Sequence, residues 1–528
     1  MSVKNLMIEK IREHGLEGIV SIQDNKIHWP EHGWEYQIPK ALGDFHRRML
    51  SDIFPFSPYA IKREEMWASV ISGLLEQSAE IKIDSKLIDN LLDSRSISFR
   101  GDSAGLKDNL KAIFEDLYYI ESKSARKIPY ILPFHLQVIG NLKTKEPRGF
   151  NHLFRLLLTD ETGQFNYELF NNVVTLFNDE ATLTPIDKLF IGALKDQDKY
   201  KKIEPKLKES DPITADGYDF DKKQGELFRR DLKRILEMQV SRLEKVRYFS
   251  IVMGLHFSIY VMRISYYLDW ELKEFLKALE IENHAFPSTK DYDRTFQSMI
   301  TFTFEEVRTP KSSKPVVNCN EMAQVVYRSY IHMVLLNTIR NMSQNKSLKL
   351  SEFVKMLKED GLFSKWINLC FDLLMLAYVE KVIKLEDAEE INEYLAELPE
   401  GNTFKRYEHL VTKHFASQKS ANRTPRTAGI QFIKQSMGVG SSYSFIAGKP
   451  GIGDYYGVGK DLIILLVHLT IGVNERKIRY KDFLSRISTY GFNPDQHAEE
   501  ALLKKLEETG LLQKFSDSGE AIYVRTIF

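Results

Sequence analysis

Apolar residues that return every three or four positions constrain this chain more than any other feature. A strand buries every second residue, so spacing of this kind is buried by helices. "REEMWASVISGLLEQ", "LKDNLKAIFEDLYYI", "FNHLFRLLLTD" and "YELFNNVVTLFND" all carry the pattern. In "GELFRRDLKRILEMQVSRLEKVR" it puts Phe228, Leu232, Leu236, Val240 and Leu243 on one stripe. Helical patterns resume through "MAQVVYRSYIHMVLLNTIRNM" and "WINLCFDLLMLAYVEKVI", without an internal repeat of solenoid period. "GIVSIQDNKIHW" departs from this: it alternates around Asp24-Asn25 and suits a small β-hairpin. The expectation is a mainly α, multidomain protein, because single cores rarely grow past about 250–300 residues and this chain has 528.

An apolar fraction of 43% is ample for packed cores. Lys plus Arg and Asp plus Glu both number 73, so any attraction to nucleic acid or a bilayer must be local. The two cysteines, Cys319 and Cys370, are too far apart and too few for a disulfide framework or a zinc site, and are expected as reduced thiols. "MSVKNLMIEKIREHG" lacks the pattern of a secretory signal. The run Phe249 to Met262 has 14 residues, against about 20 for a membrane span, and reads as a buried helix. These features predict a cytoplasmic protein without membrane contact.

Residues 1–215 are expected to form a helical N-terminal region with a short β-hairpin, and 216–412 a helical middle region. The boundary falls in the acidic stretch Glu209 to Lys223, which holds Pro212 and Gly217. Residues 413–460 carry seven Lys or Arg and one acid, Asp454, among many glycines, and read as a basic Gly-rich connector without a regular core element. Residues 461–528 parse as a winged helix-turn-helix of α+β type. A helix to Thr470 leads to extended "RKIRY" and a helix from Lys481 to Tyr490. A third helix follows, capped by Asn493 with Pro494 first and Gly510 at its end, and a hairpin closes the chain.

Catalytic patterns are sought and not met. A phosphate-binding loop needs Gly, four residues, then Gly-Lys-Ser/Thr; before Gly459-Lys460 that first position holds Asp454, and Asp461 follows. Gly448-Lys449 fails likewise, with Tyr443 before it and Pro450 after. Pro494-Asp495, Glu204-Pro205-Lys206 and Glu271-Leu272-Lys273 sit where a nuclease metal centre is not expected. His256, His332 and His468 lie in apolar helical runs and read as core histidines. Neither a nucleophile elbow nor a zinc-binding His pair is present. No catalytic residue, metal or cofactor is therefore assigned.

Charge then selects the nucleic-acid candidates. The third helix of the tail sets Asp495, Glu499, Glu500, Glu507 and Glu508 against Lys504 and Lys505, a poor surface to place between phosphate strands. Docking to a protein suits it better. DNA contact is assigned to Lys413, Lys419, Arg423, Arg426, Lys434, Lys449 and Lys460 of the connector, whose tyrosines would stack on unpaired bases. Between Gly225 and Arg247, seven basic and four acidic residues form either a solvated helix face or a second phosphate-contacting face.

The tail, "LLKKLEETGLLQKFSDSGEAIYVRTIF", has a helix ending at Gly510, then Ser516 to Ala521, then Tyr523-Val524-Arg525. With the preceding "RKIRYKDFLSRISTYGFN" it resembles the C-terminus of the G subunit (DptG or DndG type) of bacterial phosphorothioation-dependent DNA restriction systems. The resemblance is specific over roughly the last 65 residues. It implies a role in defence against phage and plasmids: modification enzymes place sulfur in the host DNA backbone, and a restriction complex acts on DNA lacking that mark. This chain would be its non-motor, DNA-contacting subunit, beside ATPase or helicase-like partners. The resemblance supplies no catalytic residues to carry over. A nuclease with an unrecognised active site and a stand-alone winged-helix transcription regulator remain alternatives.

Overall fold

A computed structural model describes residues 3–45, 70–76, 81–82, 84–93, 103–118, 135–142, 150–179, 183–208, 220–281, 284, 286, 300–302, 320–345, 348–417, 433–434, 436–438, 440–449, 453–515 and 522–526. Over these the chain is mainly helical, with sheets of only two or three strands. It divides into two compact units that alternate along the sequence. The first is Met1–Ser51, Met262–Tyr292 and Glu321–Gly429; the second is Asp52–Val261, Asp293–Asn320 and Ile430–Phe528. One division falls inside a single helix, Arg242–Glu280.

The first unit opens with the helix Val3–Glu13, which packs on the helix Gly361–Tyr378. Strands β1 (Ser21–Gln23), β2 (Lys26–Trp29) and β3 (Trp34–Gln37) form an antiparallel sheet in that order. Asp24 and Asn25 turn β1 into β2 with φ of 49° and 62°. Both angles are positive, as a two-residue hairpin turn requires, and Asx residues accept that conformation at low cost. Trp29 and Trp34 meet Trp366 of the long apolar helix, and the Trp366 indole donates to Met342 O at 3.2 Å. That helix is started by Asp360, whose carboxylate accepts from the N–H groups of Leu362 and Phe363. Cys370 is fully buried on it as a free thiol, and burial pushes its titration well above the ordinary range; Cys319 lies outside the described residues.

The helices Arg242–Glu280 and Gly361–Ile383 are long and apolar enough to cross a bilayer. Yet 94% and 72% of their apolar windows are buried inside the protein, so most of that surface meets side chains.

In the second unit the helices Phe150–Leu158, Tyr167–Asn178 and Phe220–Glu237 pack with the first half of Arg242–Glu280. Phe154 meets Phe228 and Phe249, while Phe150 stacks on Phe257 at 5.7 Å. A satellite core gathers Ile88, Leu91, Val138, Phe190 and Leu194. Its last helix, Pro185–Lys195, carries a full capping box between Thr184 and Asp187, with Pro185 in the first turn.

Where the expected connector 413–460 is described, at 413–417, 433–434, 436–438, 440–449 and 453–460, it holds core structure in place of an irregular chain. Residues 413–417 continue the helix Thr403–Ser417, and β5 (Ile446–Lys449) pairs antiparallel with β6 (Gly453–Tyr456). Phe445 and Tyr455 are fully buried, Tyr443 and Tyr456 nearly so, and Arg247 lies over the Tyr443 ring. These tyrosines pack inward rather than standing ready to stack on bases. Gly459 explains one glycine of this stretch: a Cβ there would lie 2.3 Å from Ser442 O, so only glycine lets the two backbone segments meet. Ser442 O in turn accepts from Leu462 N, which satisfies one of the orphan donors of the next helix.

That helix is Lys460–Ile471, followed by β7 (Lys477–Arg479) and the helix Tyr480–Ser488. Next, β8 (Phe492–Pro494) pairs in parallel with β4 (Ile300–Phe302). The helix Gln496–Glu508 is capped by Asp495, which accepts from Ala498 N. Asn493 and Pro494, expected as the cap and first residue of this helix, lie instead in β8, because the parallel pairing holds them extended. Gly510 closes the helix with φ of 69°. Strands β9 (Leu512–Lys514) and β10 (Ile522–Arg525) complete a three-stranded antiparallel sheet in the order β7-β10-β9. Leu511 and Val524 are fully buried beneath it.

Candidate nucleic-acid interface

The structure places four of the seven basic residues nominated for DNA. Lys413, in the first unit, donates to Glu397 at 2.7 Å and lies 4.2 Å from the centre of the Tyr394 ring. In the second unit Lys434 is ion-paired with Asp454, the one acid of its segment. Lys449 ends β5, and Lys460 is exposed at the start of its helix. Lys419, Arg423 and Arg426 lie outside the described residues.

The arginines of the basic helix Phe220–Glu237 turn toward partners within the protein. Arg229 turns inward and donates through one terminal nitrogen to Leu157 O at 3.1 Å and also to Thr159 O. Gly225 makes room for it, since a Cβ there would stand 2.8 Å from that nitrogen. Burial pulls the Arg229 guanidinium below its ordinary range. Lys233 faces water, 72% exposed.

Arg234 and Arg486 converge on the far end of the helix Lys460–Ile471. Arg234 donates to Leu469 O, and Arg486 donates to Thr470 O at 2.6 Å and to Glu475 at 2.9 Å. These carbonyls belong to a last turn that lacks intrahelical donors and carries the negative end of the helix dipole, so two cations there are well placed. Gly472, with φ of 78°, keeps the approach open: its Cβ would lie 2.9 Å from Arg234 Nε. Burial first, and then the neighbouring Arg230 and Arg486 charges, pull the Arg234 guanidinium below its ordinary range. Arg230, Arg234 and Arg486 line a cleft of about 400 Å³ together with Glu237 and Glu475.

Behind the cleft sits a buried polar network. Asp231, wholly buried, accepts from Arg230 Nε and Nη2 at 3.0 and 2.9 Å on one oxygen. Its other oxygen accepts from Tyr490 OH at 2.5 Å and lies 2.9 Å from His256 Nε2. Arg230 Nη2 also donates to Tyr490 OH at 2.7 Å, and Gln224 Nε2 stands 2.9 Å from His256 Nδ1. Burial, then the Asp231 charge, push the Tyr490 phenol well above its ordinary range, so it remains a donor. An acid, an imidazole and a phenol in series are a relay in composition, but Asp231, His256 and Tyr490 are all buried from solvent. The network therefore ties the tail helices to the helices at 220 and 242. The sequence places Arg230 and His256 on their helices; Tyr490, which bonds Arg230 from 260 residues away, left no local signal.

The tail helix Gln496–Glu508 keeps its acidic balance in three dimensions. Lys504 and Lys505 both approach Glu508, at 3.7 and 3.4 Å, and Lys514 of β9 pairs with Glu507 at 3.0 Å. Within the same segment His468 stands 2.5 Å from Thr526 Oγ1 and is held neutral by burial, its titration lowered to about 4. Among the described residues no group of three His, Cys, Asp or Glu side chains converges as a metal site does. No protein-family model matches the chain, and a search of curated proteins finds no match either.

Proposed function

We propose that this chain is a non-catalytic, DNA-contacting subunit of a phosphorothioation-dependent restriction complex. In that complex it works in the cytoplasm beside ATPase or helicase-like subunits, against DNA that lacks the sulfur mark. The observation that carries the reading is the order of elements from Lys460 to Arg525: helix, strand, helix, a three-residue strand paired outside the sheet (β8), helix and two strands, with the first strand joined to the last. Apart from that inserted strand, the order is the one a winged helix-turn-helix would have, which supports reading 461–528 as one. Its acidic helix Gln496–Glu508 favours docking on a protein over entry into a DNA groove. The resemblance of the tail to the G subunit of such systems adds the identity of the partners.

The test is co-purification. Deleting Leu511 to Phe528 removes the strand at the centre of the sheet along with its edge partner. The truncated chain is expected to lose its ATPase partners while the rest stays folded by circular dichroism. Retained co-purification overturns the docking role. In a second arm the intact protein is incubated with plasmid, ATP and Mg²⁺. Nicking that a single Asp or Glu substitution abolishes overturns the non-catalytic reading.

A further inference from the structure

The sheet β7-β10-β9 has two faces of opposite character, set by the two-residue period of its strands. Ile478 and Val524, directly paired, point inward and are buried. The register puts the alternate residues together on the other face: Lys477 opposite Arg525, and Arg479 opposite Tyr523, which is also opposite Gln513. Lys477, Arg479 and Arg525 are exposed; Arg525 donates through Nε to Gly510 O at 2.9 Å while staying at the surface. Among the described residues no carboxylate pairs with any of the three, and no acid stands on this face of the strands. Just past β9, Phe515 is 53% exposed; its ring meets Tyr523 edge-on at 5.3 Å, and the Lys477 ammonium lies 4.2 Å from its centre.

We propose that this face binds single-stranded DNA, with phosphates on Lys477, Arg479 and Arg525 and a base stacked on Phe515 and Tyr523. The reading rests on the proposal that the chain contacts DNA, and it moves that contact from the acidic helix to the sheet. Three clustered cations, with no acid beside them among the described residues of the face, give a local positive field in a molecule of no net charge. Cations alone suit any polyanion, and the aromatic rings narrow the choice. A duplex major groove, about 12 Å wide, admits a helix or a two-stranded ribbon, and a broader sheet reaches duplex bases only by opening the minor groove and wedging side chains between base steps. On a duplex not distorted in that way the exposed phenyl ring gains no partner. An unpaired strand offers both phosphates and the open face of a base, which can take the place of the lysine ammonium on the ring.

Fluorescence anisotropy of the full chain, with a labelled 20-nucleotide single strand and the matching duplex from about 50 to 200 mM salt, tests this. Phe515→Ala is expected to weaken single-strand binding by about 5- to 150-fold, the cost of losing one stacked base, and to leave duplex binding unchanged. Lys477→Glu with Arg479→Glu is expected to flatten the salt slope on the single strand by at least about 1.4. Should the charge reversal fail to fold, Lys477→Gln with Arg479→Gln carries the same expectation. If wild type binds no DNA of either kind, the DNA-contacting function itself falls. If wild type binds and these variants bind equally well, only the assignment to this face falls. An equal loss on duplex and single strand, with Phe515→Ala silent, overturns the single-strand specificity. Loss of a co-purifying protein with DNA binding intact overturns it in favour of an acidic protein partner.

Discussion

At the scale of single residues, His468 and Asp231 show how burial converts ordinary side chains into pH and stability determinants. His468 stays neutral in the folded protein down to about pH 4, whereas an unfolded histidine takes up a proton below about 6.5. Between those values the unfolded chain binds a proton that the folded chain does not, so stability is complete above about 6.5 and falls as pH drops toward 4. By pH 5 the loss is about 2 kcal/mol. Hydrogen exchange along the helix Lys460–Ile471, corrected for intrinsic rates, should speed up accordingly between pH 7 and 5. His468→Gln should remove that part of the pH dependence; an equal loss in the variant would rule His468 out as the cause. Asp231 presents the opposite case, a buried charge that stays buried because arginine, tyrosine and histidine surround it. Asp231→Ala should cost about 3–5 kcal/mol, the penalty for leaving its cationic partner uncompensated. Tyr490→Phe should cost about 1–3 kcal/mol. The double variant should cost less than the sum by about 0.5–3 kcal/mol. Strict additivity, read from exchange protection on the helix Phe220–Glu237, would mean the two groups do not act as one network.

At the scale of elements, the glycine-rich stretch before residue 460 is where sequence and structure part. Its composition marks turns, and turns do occur; what composition does not carry is that Ser442 O comes close enough to Gly459 to forbid a side chain. Gly459→Ala should therefore push the 441–445 loop off the start of the helix and cost about 1–3 kcal/mol, as overpacking of a close contact does. A melting transition matching wild type would show that the loop yields freely. The same contrast runs through the whole chain. Asp24-Asn25 foretold its hairpin because a two-residue turn is a local event, and the periodic runs foretold helices because amphipathicity is local too. The inward turn of Arg229 and Arg234 depends on carbonyls about 70 and 235 residues away. A helix rich in arginine looks equally basic whether those arginines meet water, phosphate or the ends of neighbouring helices. The basic face of the terminal sheet was hidden for a related reason: Lys477, Arg479 and Arg525 become neighbours only once β7 pairs with β10.

At the scale of the whole molecule, a chain with equal numbers of acids and bases can hold a polyanion only where the charges are locally separated. Many of its bases are already spoken for. Lys413 and Lys434 have carboxylate partners, and Arg229, Arg234 and Arg486 cap carbonyls. A base already paired with a carboxylate gains little from a phosphate, because it must break one ion pair to make the other. Within 413–460, Lys460 is exposed, while Lys419, Arg423 and Arg426 lie outside the described residues, so DNA contact by those three rests on the sequence count of seven bases to one acid. Each duplex phosphate neutralised adds about −0.9 to the slope of log affinity against log salt. Changing Arg423 and Arg426 to Glu should weaken binding to all sequences alike and flatten the duplex slope by about 2. The sheet-face variants make a different prediction, acting on the single strand, so the two sets separate in one titration series. If the Arg423 and Arg426 variant keeps the full duplex slope while the sheet-face variants lose the single strand, the stretch 413–460 does not contact DNA. If instead the duplex slope flattens and the single strand is untouched, backbone contact lies in that stretch and the terminal sheet is free to serve the partner subunits.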